Sequence, residues 1–353
     1  MTGRAAVTTA TDPRRRRRRR WHRVRLALAL ILLITSFTTL LLRFLGAGLA
    51  LSWRLDLLSG FAGPMVVGCA LAAIFALALR SRRTALLIAL IALAHLLWMA
   101  SGRAVRSAPI EGRTLRVMTF NSLGINTHGD KVVAAIRQSD ADLVCILEAS
   151  WSTLHELRQA SWDDERYPHR VVPEDGKEWN IVVLSRFPIT VDESRDSKWD
   201  LWWDFYNYRR VVTVHAPEAM GGDFLHAMLI PSSPRTAKRW EFGNDLLETN
   251  IQILRDYYLS RRLPMIVTAD LNASPTMYRT GRVRRALGLL RCKPLLGVVG
   301  TWPADNPRWK RFAIDDVFVT PGIKVASWQV VEADTGSDHA PVVVDLVMPE
   351  QRR

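Results

Sequence analysis

Cysteine is scarce in this chain of 353 residues, which has three at widely spaced positions: Cys69, Cys145 and Cys292. This number and spacing exclude a disulfide framework and a cysteine-ligated zinc site. Cys69 lies in an apolar run and Cys145 in a strand-like one, so both are interpreted as buried thiols that pack like small hydrophobic side chains.

Acidic residues are nearly missing from the first third of the chain. Residues 1–106 hold 17 Lys and Arg but only 2 Asp and Glu, whereas residues 107–353 hold 31 basic and 32 acidic residues. The formal net charge of +14 therefore belongs to the N-terminal third. Binding to a phosphate backbone needs basic charge on the binding domain itself, so the high pI is no argument for nucleic-acid binding by the near-neutral remainder.

Charge is also missing from three long apolar runs, at Leu26–Leu42, Phe61–Leu79 and Thr84–Ser101. A bilayer core needs about 20 apolar residues per helix, with a lower limit near 17. The runs therefore predict three transmembrane helices, the first on condition that the head group of Arg43 reaches toward the interface. His95, inside the third run, is interpreted as a helix–helix or interfacial contact rather than a ligand.

Arginines set the expected orientation in the membrane. Arg14–Arg20 is an unbroken basic run, and two crossings return the basic loop Arg80–Arg83 to the same side, which the positive-inside rule identifies as the cytoplasm. The third crossing then places the rest of the chain outside. We therefore predict a basic cytoplasmic tail at 1–25, a transmembrane region at 26–102 and an extracytoplasmic domain at 107–350. The arginine run is interpreted as a topology signal and an anchor to anionic lipid, with a nucleic-acid arm as the alternative.

Beyond the apolar runs, short strand patterns alternate with helical ones. Apolar β-type runs precede Asn121, Glu148 and Asp270, and another follows His339. Strand ends of this kind hold carboxylate and imidazole groups on a rigid frame that faces a cleft. A long amphipathic helix is expected at Thr236–Ser260. Many strands with few helices between them favour a layered α/β domain with a two-sheet core.

Six short motifs occur in order along residues 113–348. They are Thr-Phe-Asn121, Leu-Val-Cys-Ile-Leu-Glu148, Val-Leu-Ser-Arg-Phe-Pro188, Ala-Asp270-Leu-Asn272-Ala, Ile-Asp315-Asp and Ser-Asp338-His339-Ala-Pro. Each is weak alone, but the ordered set resembles the endonuclease/exonuclease/phosphatase superfamily, to which DNase I and the sphingomyelinases belong. The resemblance implies a DNase I-like four-layer α/β sandwich, here preceded by three transmembrane helices, and metal-dependent phosphoester hydrolysis.

The resemblance also implies roles for individual residues. It assigns the metal ion, Mg²⁺ or Mn²⁺, to three residues: Glu148, Asn121 and Asp338. Asp270 and Asn272 match the pair that orients the attacking water and the scissile phosphate. Asp315 matches the carboxylate that hydrogen-bonds to the catalytic histidine, which is His339 in this sequence.

The chemistry of these side chains is consistent with roles in metal binding and proton transfer. Mg²⁺ keeps several waters and takes one or two protein carboxylates together with phosphate oxygens, and Glu148 with Asn121 supplies such a half-open site. The ion offsets charge on the phosphate and acidifies water. Asp315 would fix the tautomer of His339 and favour its charged form. Either Asp270 or His339 could be the base that activates water, and the sequence leaves both open.

The sequence departs from the family pattern at the strand before the long helix. A second His or a Tyr is usual there, whereas the alignment places Met228 at that position and His226 two residues earlier on the same strand face. His226 is therefore a candidate catalytic residue, with an ordinary buried strand histidine as the alternative. Asp316 stands where an aromatic residue or His is common, which predicts a changed pocket wall.

Two further features bear on the substrate. The aromatic stretch Lys198–Arg209 would rest at a lipid interface, flank a core strand or stack on bases. A basic cluster would contact phosphate or anionic lipid, or form a solvated helix face. Its members are Arg279, Arg282, Arg284, Arg285, Arg291 and Lys293.

Three functions are compatible with these features. The favoured one is a membrane-anchored phosphatase or phosphodiesterase that acts outside the cytoplasm on a lipid-linked or small phosphate ester. The layout is similar to that of membrane-anchored actinomycete members of the superfamily linked to teicoplanin-type resistance, which implies a polyprenyl pyrophosphate substrate and contact with membrane lipid. The alternatives are an extracytoplasmic nuclease and an inactive binding module, and the intact Asp-His and Asp-Leu-Asn motifs argue against the second of these.

Overall fold

The computed structural model of the chain describes residues 13–159, 165–173, 181–191, 207–295 and 299–350. Most of the aromatic stretch Lys198–Arg209 lies outside the described residues. Four helices come first in the chain: α1 Pro13–Arg43, α2 Trp53–Ser59, α3 Ala62–Ala78 and α4 Arg82–Ala100. The five residues of Phe44–Gly48 form a π-helix that continues α1.

Two helical stretches of this region, Arg20–Gly48 and Arg82–Ala100, are long and apolar enough to cross a membrane. Helix α3 has 17 residues and meets the same test only together with α2, to which it joins at a bend of 64°. Large apolar side chains cover the outside of the helices; Leu71 and Ile74, for example, are 62% and 63% exposed. Soluble proteins rarely expose such patches, so the helices indicate membrane association. Two of the three predicted spans are therefore long and apolar enough on their own to cross a membrane.

The side chain of Arg43 packs among the N-terminal helices, whereas the sequence predicted that it extends outward. Its side chain is fully buried, and Nη1 donates to the carbonyl oxygen of His95 at 3.1 Å. Its guanidinium also lies over the Trp98 ring, 4.7 Å from the centroid. The reason is that a guanidinium removed from water needs polar partners, which α4 supplies. The helix–helix role of His95 is confirmed, since its Nε2 also lies 3.0 Å from Thr39 Oγ1.

Beyond Ala100, the described residues form strands β1–β12 and helices α5–α8. The strands are β1 Thr114–Asn121, β2 Leu143–Leu147, β3 His169–Val171, β4 Val182–Ser185, β5 Ile189–Val191, β6 Asn207–His215, β7 Asp223–Pro231, β8 Met265–Asp270, β9 Leu290–Arg291, β10 Asp315–Val319, β11 Lys324–Val330 and β12 Val342–Val347. The helices are α5 Gly129–Ser139, α6 Trp151–Arg158, α7 Ala237–Arg261 and α8 Tyr278–Leu287. Helix α7 matches the predicted long helix and is capped by Thr236, whose side chain accepts from the Arg239 N–H.

The strands form two six-stranded sheets, in the orders β11-β12-β1-β2-β4-β3 and β5-β6-β7-β8-β10-β9. Helices α5 and α6 pack on the outer face of the first sheet, and α7 and α8 on that of the second. A third apolar core lies between the sheets. Because both faces of the sheets are covered, a central strand such as β2 is buried at all five positions, which explains its continuous apolar run. The predicted four-layer sandwich is confirmed.

Helix α2 connects the apolar N-terminal helices to the two-sheet sandwich. The carboxylate of Asp56 is fully buried and accepts from Trp240 Nε1 at 2.8 Å and from the backbone N–H of Tyr278 at 2.7 Å. Tyr278 is the first residue of α8, so Asp56 caps that helix from a distant part of the chain. Trp53 Nε1 donates to the carbonyl oxygen of Pro234 at 2.6 Å. These contacts fix α2 against the ends of α7 and α8.

We expect Asp56→Ala to destabilise this junction. The change leaves two buried donors, on Trp240 and Tyr278, without acceptors, and each such loss costs about 1–3 kcal/mol. Thermal unfolding of the full-length protein in detergent should show a lower Tm. Asp305→Ala, at an exposed acidic residue, is the matched control. An unchanged Tm for Asp56→Ala would show that the junction does not contribute to stability.

Candidate active site

Polar side chains from both sheets meet at one edge of the sandwich. Asn121 is the last residue of β1, and Asp270 is the last residue of β8. Asp315 begins β10, which runs antiparallel to β8, so that Asp315 pairs directly with Asp270. All three side chains are buried. The strand ends predicted from the sequence therefore converge on one place.

Asp270 is the most tightly held of these groups. Asn121 Nδ2 donates to its Oδ2, and the backbone N–H of Asn272 donates to its Oδ1, each at 2.8 Å. Asn272 adopts a left-handed backbone conformation with φ 48°, which asparagine tolerates better than most residues. Its side-chain Nδ2 donates to the carbonyl oxygen of Pro231 at 3.1 Å. The hydrogen bonds from Asn121 and from the Asn272 backbone orient the Asp270 carboxylate before a substrate binds.

His339 links the two carboxylates. Its Nδ1 lies 2.9 Å from Asp315 Oδ2, and its Nε2 lies 3.8 Å from Asp270 Oδ2. An Nδ1–H that donates to Asp315 fixes the ring orientation and leaves Nε2 directed at Asp270. The backbone N–H of His339 donates to Ser337 Oγ, which itself donates to the carbonyl oxygen of Asn121 at 2.8 Å. These two hydrogen bonds connect the loop that carries His339 to the end of β1.

Charge and burial shift the proton affinities of this cluster. Burial lowers the pKa of His339, but the carboxylates of Asp315 and Asp270 outweigh it, so the net pKa is raised above the usual range. Burial and the charge of Asp315 together raise the pKa of Asp270. His339 is therefore a cation at neutral pH. Asp270 is correspondingly a stronger base than an exposed carboxylate.

Glu148 and Asp338 bring two more carboxylates to the same place. Glu148 follows β2 directly, with a left-handed φ of 48°, and none of the described residues hydrogen-bonds to its carboxylate. Asp338 Oδ2 accepts from Trp302 Nε1 at 2.9 Å. Its Oδ1 is buried and has no hydrogen-bond partner among the described residues. The nearest charged group is His339 Nε2 at 3.9 Å, too far for a hydrogen bond, so Oδ1 keeps lone pairs with which it could bind a cation.

A cleft of about 380 Å³ exposes these groups to ligands. Six of the sequence-predicted site residues line it: Asn121, Glu148, Asp270, Asn272, Asp338 and His339. Asp315 does not line the cleft but contacts it through His339. The size falls within the range of about 300–1,000 Å³ that is typical of small-molecule sites.

The donor set of the cleft fits a hard divalent cation. Carboxylate and amide oxygens are the ligands that Mg²⁺ and Mn²⁺ prefer. Ligand atoms of Asp270, Asp315 and His339 lie within 4.8 Å of one another. Because His339 Nδ1 already contacts Asp315, we interpret that trio as a proton-handling group. The unpaired oxygens of Glu148 and Asp338 are the better candidates for metal ligands.

His226 does not lie in this cleft, although the sequence made it a candidate catalytic residue. It is fully buried on β7, between the two sheets, and its Nε2 lies 3.0 Å from Thr268 Oγ1. Burial lowers the pKa of its imidazole to about 3, so it stays neutral. Met228 faces the same inter-sheet core. The period of two places both residues inward, but deeper than the strand ends where the cleft opens.

The basic cluster predicted to contact phosphate, lipid or solvent is instead largely paired within the domain. Arg279 is fully buried, with Nε donating to Asn244 Oδ1 at 2.8 Å, and Arg282 forms a salt bridge with Glu248. Arg291 Nε donates to Asp316 Oδ2 at 2.7 Å. This pairing also takes Asp316 out of the pocket wall, where the sequence had placed it.

Among the lining residues that sequence reasoning missed, Trp302, Arg235 and Arg239 bring hydrogen-bond donors and positive charge to the cleft. Trp302 lies outside all six motifs, and its role depends on a hydrogen bond to Asp338 across 36 positions of sequence. The two arginines flank Thr236, the N-cap of α7. A capping Thr between basic residues is a signal of an anion-binding helix start that the sequence does contain.

A sequence model described as the Endonuclease/Exonuclease/phosphatase family matches residues 118–339. The chain belongs to this family. Members of the Endonuclease/Exonuclease/phosphatase family are phosphoester hydrolases that use divalent metals, in agreement with the carboxylates of the cleft. No curated protein is similar enough to this chain to count as a match.

Solved structures with low sequence identity resemble the sandwich. The mannosyl-6-phosphatase of Bacteroides thetaiotaomicron is 19% identical, with 66% of this chain and 100% of that chain covered at a TM-score of 0.49. The sphingomyelinase C of Streptomyces griseocarneus is 14% identical, with 66% and 99% covered at a TM-score of 0.46. The human Nocturnin catalytic domain is 16% identical, with 70% and 98% covered at a TM-score of 0.49. Similarities at this level say nothing about substrate.

Proposed function

We propose that this protein is a membrane-anchored, metal-dependent phosphoester hydrolase that acts on a lipid-linked phosphate ester, such as a polyprenyl pyrophosphate. The observation that carries the proposal is the chain of contacts from Asp270 through His339 to Asp315, in a cleft that Glu148 also lines. A buried carboxylate beside an imidazolium supplies both a base and an acid. The apolar N-terminal helices support a substrate that resides in the membrane.

In the proposed reaction, a water oxygen forms a bond to phosphorus while the bond from phosphorus to the bridging or ester oxygen breaks. Asp270 accepts the proton of the water, because its raised pKa makes it a better base. His339 is already protonated, so it stabilises the phosphate oxygens and gives a proton to the leaving oxygen. The products are inorganic phosphate and the lipid alcohol or lipid monophosphate.

Glu148, Asn121 and Asp338 would hold the metal ion. When bound, a divalent cation offsets charge on the phosphate and acidifies the attacking water. Asp338 Oδ1 is buried without a hydrogen-bond partner among the described residues, and Asn121 Oδ1 accepts from the Leu123 N–H while keeping a second lone pair. Three oxygen donors, from the ends of two neighbouring strands of the first sheet and from the loop before β12, would thus share one ion.

Arg235 and Arg239 supply positive charge on the same cleft. They flank the start of α7, a helix of 25 residues whose first N–H groups carry a partial positive charge. Phosphate groups bind well where arginines and a helix start coincide. This wall would hold the phosphate oxygens that the metal ion does not contact.

The orientation in the membrane is also part of the proposal. The basic run Arg14–Arg20 and the basic loop Arg80–Arg83 support a cytoplasmic N-terminus and an extracytoplasmic catalytic domain. Protease treatment of intact cells should then digest the catalytic domain. Protection of that domain would reverse the orientation.

The decisive experiment measures phosphate release from undecaprenyl pyrophosphate by the full-length protein in detergent with Mg²⁺. We expect release that stops with a chelator and returns with Mg²⁺ or Mn²⁺. Glu148→Gln should raise the metal concentration for half-maximal activity by at least about tenfold, because even outer-sphere changes cost 10–100-fold. Glu165→Gln, at an exposed glutamate, is the control. Nicking of plasmid DNA without phosphate release would identify a nuclease, and neither activity would leave a binding module.

A further inference from the structure

An apolar groove lies beside the catalytic cleft, on the side where α2 docks. Its volume is about 350 Å³. The apolar residues that line it include Leu57, Phe61, Pro234, Met277, Phe312 and Ile314. Phe61 and Phe312 meet edge to face, with ring centroids 5.8 Å apart and planes at 87°. Both rings are more than a third exposed, so the groove is open to a ligand.

The groove and the catalytic cleft are continuous. Ser233, Arg235, Asn272 and Trp302 line both of them. Trp302 contacts both sites. Its Nε1 donates to Asp338 in the cleft, and the centroid of its ring lies 6.4 Å from that of Phe312 in the groove. A molecule with a polar end in the cleft would therefore pass directly into apolar surroundings.

The opposite end of the groove reaches the membrane region. Phe61 is the residue before α3, and Leu57 lies in α2. Helix α3 exposes a row of large apolar side chains that includes Val67, Leu71 and Ile74. The groove thus connects the phosphate-binding cleft to the beginning of a helix whose exterior is suited to lipid.

We propose that this groove binds the hydrocarbon chain of a lipid phosphate while its phosphate lies in the cleft. The inference rests on the proposed function and makes it more specific, because it selects amphiphilic substrates over water-soluble esters. Two properties of the groove favour a hydrocarbon chain as its ligand. Such a chain removes the exposed rings of Phe61 and Phe312 from water, and it needs no polar partners from the walls. The chain stays within apolar surroundings from α3 to the cleft.

The test compares two substrates with one headgroup. Farnesyl pyrophosphate carries a long chain and isopentenyl pyrophosphate a short one. We expect the full-length protein in detergent to have a kcat/KM at least about tenfold higher for the long chain, since each buried methylene favours binding several-fold. Phe61→Asp and Phe312→Asp should each remove most of that preference, because kcat/KM should fall much further for farnesyl pyrophosphate than for isopentenyl pyrophosphate. Phe242→Asp, at an exposed aromatic residue of α7, is the matched control.

The outcomes separate this inference from the proposed function. No phosphate release from either substrate or from undecaprenyl pyrophosphate would overturn both. Release with a chain-length preference that Phe61→Asp and Phe312→Asp leave intact would overturn the groove alone, because partition into micelles would then explain the preference. If both variants lose all activity, inhibition of the wild-type protein by farnesol tests the groove instead. Farnesol has the chain without the phosphate and should inhibit wild-type hydrolysis of isopentenyl pyrophosphate competitively, and no inhibition would overturn the groove.

Discussion

Replacing His339 by alanine should lower kcat for phosphate release by about 10²–10⁴-fold. The imidazole is the only described side chain that contacts both Asp270 and Asp315, at 3.8 and 2.9 Å. Without it, the leaving oxygen has no proton donor, and two buried carboxylates face each other without a cation between them. Steady-state rates at saturating Mg²⁺ and substrate would measure the loss.

Two companion variants show whether the loss is chemical. His155→Ala, at an exposed histidine of α6, should leave the rate unchanged. Asp315→Asn keeps the shape of its side chain but weakens the orientation of His339, so its rate should fall between the other two. A His339→Ala rate within a few-fold of wild type would exclude His339 as the acid.

Asp270→Asn should have an effect of similar size, about 10²–10⁴-fold in kcat, because it removes the proposed base and keeps the side-chain shape. It should also lower the pKa of His339, since one of the three carboxylates that raise this pKa, those of Asp315, Asp270 and Asp338, is gone. Titration of the imidazole by NMR would follow that change in the full-length protein. Asp305→Asn is the control, at an exposed aspartate.

The two measurements together identify the base. A large loss in rate with a lowered His339 pKa agrees with Asp270 as the base and His339 as the charged partner. A rate near wild type would show that the water is activated by another group. The sequence alone left Asp270 and His339 as equal candidates, and we propose Asp270 because the neighbouring carboxylates raise the pKa of His339 and so favour its protonated form.

Local patterns predicted the parts of the site that lie at strand ends. Asn121, Asp270 and His339 each border an apolar run, and neighbouring strands bring their ends to one edge of a sandwich. Helix α7 was also predictable, because its N-cap and apolar spacing lie within one stretch of chain. These features depend on contacts that are short in sequence or on the regular pairing of strands.

Other parts depend on contacts that no local pattern contains. Asp56 and Tyr278 are 222 positions apart, and a lone aspartate between two apolar runs gives no sign that it caps a helix so far away. The burial of Arg279 depends likewise on Asn244. His226 illustrates the opposite limit: the period of two gives its face correctly but not its depth along the strand.

The docking of α2 has a consequence for how the proposed enzyme would meet its substrate. Because Asp56 fastens the short helix to α7 and α8, the proposed membrane anchoring would hold the cleft at one height and tilt relative to the lipid headgroups. Enzyme and substrate would then meet by lateral diffusion in two dimensions. Turnover should follow the mole fraction of substrate in the bilayer, so that diluting it with inert lipid slows the enzyme even when its bulk concentration is constant.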